Sequence, residues 1–170
     1  MGLFSTPFVT PIKPVTPVDL SYLTSVYRLN QQGTSFTDNI TFGTADTDRK
    51  IVVSTFGQGY AVAGAVPTSC TIGGVTATLL RSGTAAGYWF NYVYIASVPT
   101  GTTGNVVINY SQNLWNHGIA AHRLISLNSL AYATDGTGIY NSTATPQTDS
   151  VSVPDGGAVV CSVFAQRNIT

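Results

Sequence analysis

The sequence predicts an all-β protein: an antiparallel β-sandwich, jelly-roll or immunoglobulin-like, with an extended proline-rich arm at its N-terminus. The composition is the first reason, since the chain has 24 Thr and 9 Tyr but no Glu, and strands favour β-branched and aromatic residues. The second is the pattern of short apolar or alternating runs separated by Gly- and Pro-containing turns, enough for roughly eight to ten strands. No stretch has the 3.6-residue period of an amphipathic helix.

The low charge of the chain predicts an assembly partner. Only 8% of its 170 residues are charged, against about 25% in an average protein. The net charge is zero, so we expect no electrostatic attraction to nucleic acid. No apolar run reaches the length of a membrane span, so we expect no membrane partner. A surface with so few charges protects an isolated subunit poorly against association, and we expect the chain to work beside other proteins or copies of itself.

Residues 1–20 are predicted to form an arm, and residues 21–170 the β-domain. Half of the eight prolines lie in the arm, and Pro11, Pro14 and Pro17 recur at the three-residue period of polyproline II. Proline lacks an N–H group, which excludes the segment from the interior of a sheet. We expect the arm to bind a neighbouring subunit, although an unstructured tail is the simpler alternative. Its predicted partner-binding side chains are apolar: Phe4, Phe8, Ile12, Val15 and Val18.

The predicted centre of the β-domain is a long hairpin of residues 87–98 and 105–111. The first strand is aromatic and β-branched, and the second alternates apolar and polar residues. The turn between them contains Pro and several Gly residues. Five side chains of these strands are expected to be mostly buried: Trp89, Tyr92, Tyr94, Val106 and Ile108.

The remaining strands are predicted from similar runs bounded by turn residues. The pair Gly73-Gly74 between two alternating runs predicts a tight type I′ or II′ hairpin. Residues 57–65 and 128–148 are predicted to be loops. The predicted strands cover residues 22–29, 36–42, 51–56, 70–72, 75–80, 115–125 and 158–165.

No catalytic or metal-binding constellation stands out, so we expect no enzymatic activity and no cofactor. His117 and His122 are five residues apart, which places them on opposite faces of a strand and prevents them from sharing a metal ion. Asp46 and Asp48 form an Asp-x-Asp pair without the further oxygen ligands of a calcium loop, which favours a solvated turn. With scattered Asp and no Glu, a paired-carboxylate glycosidase is also disfavoured.

The two cysteines, Cys70 and Cys161, are predicted to be reduced and unligated. They form no Cys-x-x-Cys motif, and both lie in strand-like runs where a buried thiol behaves as a small apolar side chain. A disulfide between them is the alternative that sequence leaves open.

Four stretches in a fixed order carry a resemblance to a known family. They are Asp-Arg-Lys-Ile-Val-Val at residues 48–53, Thr-Ile-Gly-Gly-Val-Thr-Ala-Thr at 71–78, Tyr-Ile-Ala-Ser-Val-Pro-Thr-Gly-Thr-Thr-Gly-Asn-Val-Val at 94–107 and Val-Pro-Asp-Gly-Gly at 153–157. Over about residues 45–165 the chain resembles small β-sandwich accessory proteins of tailed phages and prophage-like particles. The resemblance implies a virion location and a structural role as a head decoration, fibre or collar protein that contacts other virion proteins.

A second function class remains open at this point. The chain is alternatively a receptor- or carbohydrate-binding module of a phage tail fibre, with a host-surface glycan as its partner. Tyr and Trp beside Asn and Asp suit sugar binding, so an exposed aromatic platform would favour this class. Complete burial of Trp89 and Trp115 would count against it.

Overall fold

The described part of the molecule is a single antiparallel β-sheet of eight strands. The computed structural model describes residues 16–59, 65–85, 89–127, 153 and 155–160, and no helix occurs among them. The all-β, antiparallel prediction is therefore confirmed. The strands are β1 (Asp19–Arg28), β2 (Gly33–Thr41), β3 (Lys50–Gly59), β4 (Pro67–Ile72), β5 (Val75–Thr76), β6 (Thr78–Ala85), β7 (Trp89–Ser97) and β8 (Thr103–Ile125).

Strand β8 is the spine of the sheet. Its N-terminal half pairs with β2 on one side and β4 on the other, and its C-terminal half pairs with β1 and β3. The partner changes on both sides at the same place, residues 110–114, where the register of β8 shifts. Residues 110–114 are therefore a corner at which one 23-residue strand passes between two parts of the sheet.

The sheet curls around one apolar core. Beyond β3 the strand order continues to β7 and β6, and beyond β4 it continues to β5. Strands β4 and β5 also contact β7, to which neither is hydrogen-bonded, so the two ends of the strand order approach each other and the sheet is shaped nearly as a barrel. The rings of Phe90 on β7 and Tyr110 on β8 have centroids 5.4 Å apart across this core.

The predicted hairpin between β7 and β8 is wrong. Strand β7 pairs with β3 and β6, and β3 separates it from β8 in the sheet. The apolar faces of the two segments still meet, because they pack face to face in the core instead of edge to edge. Four of the five side chains predicted to be buried are buried, namely Tyr92, Tyr94, Val106 and Ile108. Trp89 is only half-buried.

A fully buried arginine holds the connection between β7 and β8. Arg49, immediately before β3, donates to the carbonyl oxygen of Val98 at 2.6 Å. Its other guanidinium nitrogens donate to the carbonyls of Gly43, Thr44, Thr100 and Gly101 at 2.6–2.9 Å. With a longer bond to the carbonyl of Phe42 at 3.5 Å, six carbonyl acceptors satisfy the cation, and no carboxylate among the described residues bonds to it. These bonds hold the segment after β7 against the segment before β3, and so direct the chain away from a hairpin between β7 and β8.

Several local predictions are confirmed and two need correction. Gly73 and Gly74 have φ values of +60° and +80°, which a type I′ turn between β4 and β5 requires. Residues 57–59, predicted to begin a loop, belong to β3, and residues 158–160, predicted to begin a strand, lie in no strand. The predicted strand 115–125 is confirmed as the C-terminal half of β8.

The arm residues fall mostly outside the described residues. Phe4, Phe8, Ile12 and Val15 lie there, as does the predicted loop 128–148. Val18 lies just before β1, which begins two residues ahead of the predicted domain boundary. Its amide donates to the carbonyl of Gly156 at 2.9 Å, and its side chain packs with Ala158 and Val160 against the outer side of the sheet.

Candidate functional site

The outer side of the sheet, opposite the core, carries a cluster of aromatic and amide side chains that we call the amide–aromatic face. It occupies one end of strands β1, β3 and β7 and the part of β8 that follows the corner. Its members are Tyr27, Asn30, Phe56, Gln58, Trp89, Asn91, Trp115 and Asn116. None of them is charged.

Strand register aligns most of this face in two rows. One row runs Asn91, Phe56, Gly118 and Tyr27 across β7, β3, β8 and β1. The other runs Trp89, Gln58 and Asn116 across β7, β3 and β8. Residues directly opposite each other in antiparallel strands point to the same side of the sheet, so the two rows form one continuous surface.

The first row depends on a glycine. A Cβ atom added to Gly118 would lie 2.4 Å from the ring of Phe56, so this ring covers the backbone of β8 as only glycine permits. The Phe56 ring thereby reaches the ring of Tyr27 on β1, with centroids 6.1 Å apart and planes within 22° of parallel. Rings in this offset arrangement attract each other beyond their simple burial.

The second row is fixed by side-chain amides. Asn116 donates to the side-chain oxygen of Gln58 at 3.1 Å, and its own amide oxygen accepts from the backbone N–H of Asn30 at 3.2 Å. The indole N–H of Trp115 donates to the side-chain oxygen of Asn30. Asn30 lies in the turn between β1 and β2 with a positive φ of 55°, a conformation that asparagine tolerates better than most residues. These bonds fix the turn and the orientation of the indole.

The rings of this face remain accessible to solvent. Tyr27 is 52% exposed and Trp115 is 43% exposed, whereas Phe56 and Trp89 are half-buried. Exposed aromatic rings beside uncharged amides can stack on an apolar surface of a ligand and hydrogen-bond to its polar groups. The face is thus chemically suited to an uncharged ligand that has both.

On the core side of the same strands, five residues form a continuous series of hydrogen bonds that we call the polar chain: Arg28, Asp38, His117, Tyr110 and Thr55. The Arg28 Nε donates to Asp38 Oδ1 at 2.9 Å, and Asp38 Oδ2 lies 3.1 Å from His117 Nε2. His117 Nδ1 lies 2.9 Å from the Tyr110 hydroxyl, which lies 2.7 Å from Thr55 Oγ1.

Except for the partly exposed Arg28, the polar chain is buried, and its members hydrogen-bond to one another. Asp38 is 2% exposed and His117 is 0% exposed, with the imidazole stacked on the ring of Phe36 at a centroid distance of 4.4 Å. Burial opposes the charge of Asp38, but hydrogen bonds from His117 and Arg28 and the charges of both outweigh it and lower the pKa of the carboxyl. The polar chain joins β1, β2, β3 and β8, which makes it a structural link between these strands.

The two histidines lie on opposite sides of the sheet, as predicted. His117 belongs to the polar chain, and His122 packs on the outer side edge-to-face against Tyr22, at a centroid distance of 5.6 Å. Burial lowers the pKa of the His122 imidazole. Asp46 and Asp48 form a turn, as predicted, in which the Asp48 amide donates to the Asp46 carboxylate at 2.8 Å.

Other features of the described residues offer less chemistry. Cys70 is a free, buried thiol whose pKa is raised by burial to about 12, so it is a poor nucleophile; Cys161 lies outside the described residues. A shallow groove of about 530 Å³ between Gly73, Pro99 and Asn105 has no titratable side chain in its lining. Within the described ranges, no three His, Cys, Asp or Glu side chains converge as metal ligands.

Comparisons with known proteins give no relative. No family model, no curated protein and no solved structure matches this chain. No helix in the described part of the chain is long and apolar enough to cross a membrane.

The chemistry of the amide–aromatic face was predictable from the sequence, but its location was not. Tyr and Trp beside Asn were recognised as suitable for sugar binding, and Trp89 and Trp115 as the residues whose exposure would decide. Neither Phe56 nor Gly118 was singled out. The signal that could have found them is weak, since the contact between them depends on the pairing of β3 with β8.

Proposed function

We propose that the chain is a non-enzymatic binding module that recognises a neutral glycan through its amide–aromatic face. The observation that carries the proposal is the exposure of Trp115 and Tyr27 on one surface with Asn30 and Gln58. In the setting that the sequence resemblance implies, this is the receptor-binding module of a phage tail fibre, and its ligand is a polysaccharide of the host surface.

Sugar rings present an apolar face of C–H groups and a rim of hydroxyls. The exposed rings of Trp115 and Tyr27 offer flat apolar surfaces on which the C–H face of a sugar can stack. Aromatic side chains of this kind commonly dominate the binding energy. Amide groups both donate and accept hydrogen bonds, which matches hydroxyl groups that do the same. Because the face has no charge, it offers no ion pair to an acidic ligand, and a neutral polymer fits it better.

Trp115→Ala tests the proposal directly. The wild-type protein should be retarded in native gels that contain a neutral polysaccharide such as a glucan or a galactomannan, and a panel of such polymers serves as the probe. We expect Trp115→Ala to raise the dissociation constant measured from the retardation about tenfold or more. Removal of an aromatic contact at the centre of a binding surface would then cost about 1.4 kcal/mol or more of binding free energy.

The matched control is Tyr22→Ala. Tyr22 is an exposed aromatic residue on the same side of the sheet but outside the amide–aromatic face, where it hydrogen-bonds to Ser25. Its replacement should leave retardation unchanged. Equal losses from both variants would show nonspecific adsorption, and wild-type protein that no neutral polysaccharide retards would contradict the proposal.

A structural virion role is the second candidate. It is favoured by the low charge and by exposed apolar side chains on β1 and in the turn that follows it, including Leu20, Tyr22 and Leu29. In this proposal the β-domain is a sandwich-like body and residues 1–20 attach it to other virion proteins.

Deletion of residues 2–15 tests the attachment. This deletion keeps Val18 and its contacts on the outer side of the sheet. We expect a folded domain that no longer co-purifies with the particle. Normal incorporation of the shortened chain would place the attachment elsewhere.

A further inference from the structure

We propose that two copies of this chain pair edge to edge through strand β1, as a symmetric antiparallel dimer. Strand β1 lies at an edge of the sheet: among the described strands its one hydrogen-bonded neighbour is β8. It has ten residues and exposes Leu20, Tyr22 and Tyr27. A long edge strand with exposed apolar side chains is a template for pairing with another strand.

The sequence of β1 is complementary to itself. A two-fold axis between Leu23 and Thr24 places Asp19 of one copy opposite Arg28 of the other, and the same ion pair forms again across the axis. The two ends of β1 thus carry opposite charges, which selects the antiparallel orientation over the parallel one.

These two charges are already part of ion pairs within each copy. Asp19 accepts from Arg123 at 3.0 Å, and Arg28 binds Asp38. Pairing would therefore join Arg123, Asp19, Arg28 and Asp38 into a series of alternating sign across the interface. No like charges would meet at the ends of the paired strands.

A β-bulge makes the sidedness of the paired residues match. The axis pairs residues whose numbers sum to 47, and in a regular strand two such residues would point to opposite sides of the sheet. The register of β1 against β8 shifts between Tyr22 and Thr24, because a bulge inserts one extra residue there. The alternation of side chains is therefore reset at the axis, and residues whose numbers sum to 47 point to the same side of the sheet. Leu20 and Tyr27 then lie on the same outer side, as do Tyr22 and Ser25, since their partners Leu124, Gly118, His122 and Ala120 on β8 do. Both pairs can meet across the interface.

The dimer would extend the outer surface of the sheet across two copies. Tyr27 of each copy would lie beside Leu20 of the other, near the two ends of the paired strands. Two amide–aromatic faces would then flank one axis on a continuous sheet, an isologous arrangement. The pairing does not depend on whether that face binds a glycan, and its test is a separate measurement.

Sedimentation velocity over a concentration series tests the dimer, with two single charge variants and the double variant that combines them. We expect the wild-type protein to dimerise reversibly, with a dissociation constant of roughly 1–100 µM for a modest interface. Leu20→Lys and Tyr27→Glu should each weaken dimerisation about tenfold, because each leaves two charges opposite apolar partners. The double variant places Lys opposite Glu twice and should recover affinity to within about threefold of the wild type.

The matched control is Leu79→Lys on β6, a terminal strand of the strand order that is not paired with β1 or β8. Leu20 and Leu79 are similarly exposed, at 37% and 44%, so the substitutions are comparable. Leu79→Lys should leave dimerisation unchanged. A loss of dimer in Leu79→Lys but not in Leu20→Lys would place the contact on β6 and overturn the proposal. Wild-type protein that stays monomeric at about 1 mM would overturn it as well.

A second pair of variants avoids the aromatic side chains. Asp19→Lys places a lysine beside Arg28 of the other copy at both ends of the interface, and this repulsion should weaken the dimer. Asp48→Lys makes the same change of charge in an exposed loop and should leave the dimer unchanged. Equal effects of the two would show that net charge, and not the β1 pairing, controls association.

Discussion

The two sides of strands β1, β3 and β8 use polar side chains in opposite ways. On the core side, the polar chain joins its members by hydrogen bonds from the partly exposed Arg28 to the buried Thr55. On the outer side, the amide–aromatic face is neutral and keeps its largest rings accessible. Thr55 and Phe56 are neighbours in sequence and belong to opposite sides. The two-residue period of a strand thus lets the same segments hold the fold together on one side and present a binding surface on the other.

Asp38→Ala should have the largest effect on stability. Asp38 bonds to both Arg28 and His117, so its removal leaves two polar groups without their central partner in a buried site. We expect a loss of about 3–5 kcal/mol in the free energy of unfolding, measured by urea denaturation. Asp48→Ala, in an exposed turn, should change it by less than about 0.5 kcal/mol. Similar losses from both variants would mean that the polar chain has no special part in stability.

Acidification should remove the contribution of Asp38 gradually. The folded state lowers the pKa of this carboxyl below its ordinary value of 3.8. The stabilisation is therefore fully present above pH 3.8 and is lost as the pH falls through the lower pKa of the folded state. Urea midpoints measured from pH 6 to pH 2.5 should show a steeper acid decline for the wild type than for Asp38→Asn. Parallel declines would show that other groups control acid unfolding.

Local sequence patterns predicted most strands, because the order of apolar and polar residues within a strand shows which of its side chains are buried. The alternation around Phe36 predicted β2, and the glycine pair at residues 73 and 74 predicted the turn after β4. The path of the chain was predicted less well. The sheet neighbours of β7 and β8 depend on a corner at residues 110–114 and on the hydrogen bonds of Arg49, and neither has a local pattern.

The amide–aromatic face and the polar chain were predictable from the sequence to different degrees. Tyr and Trp beside amides were expected from composition to suit a sugar, but Trp89 was predicted to be buried. The structure adds the exposure of Trp115 and Tyr27 and the alignment of most of the face in rows. The polar chain was not expected, because it joins residues as distant in sequence as Arg28 and His117. No short motif records a contact across 89 positions, and only the pairing of β1 and β2 with β8 brings the two groups near Asp38.

Tyr27→Ala should have a smaller effect on stability than Asp38→Ala, and it would separate the two sides of the sheet most clearly. Tyr27 is half-exposed, and its ring contact is with Phe56 on the outer surface. Loss of one such aromatic pair typically costs about 0.5–1.5 kcal/mol, well below the cost expected for Asp38→Ala. Binding to a neutral polysaccharide should nevertheless fall, since the ring belongs to the exposed surface that we propose contacts the sugar. Two measurements on the same sample are therefore needed: urea denaturation for the free energy of unfolding and gel retardation for polysaccharide binding. A stability loss as large as that of Asp38→Ala would mean that the outer face also holds the sheet together, and the contrast between the two sides would disappear.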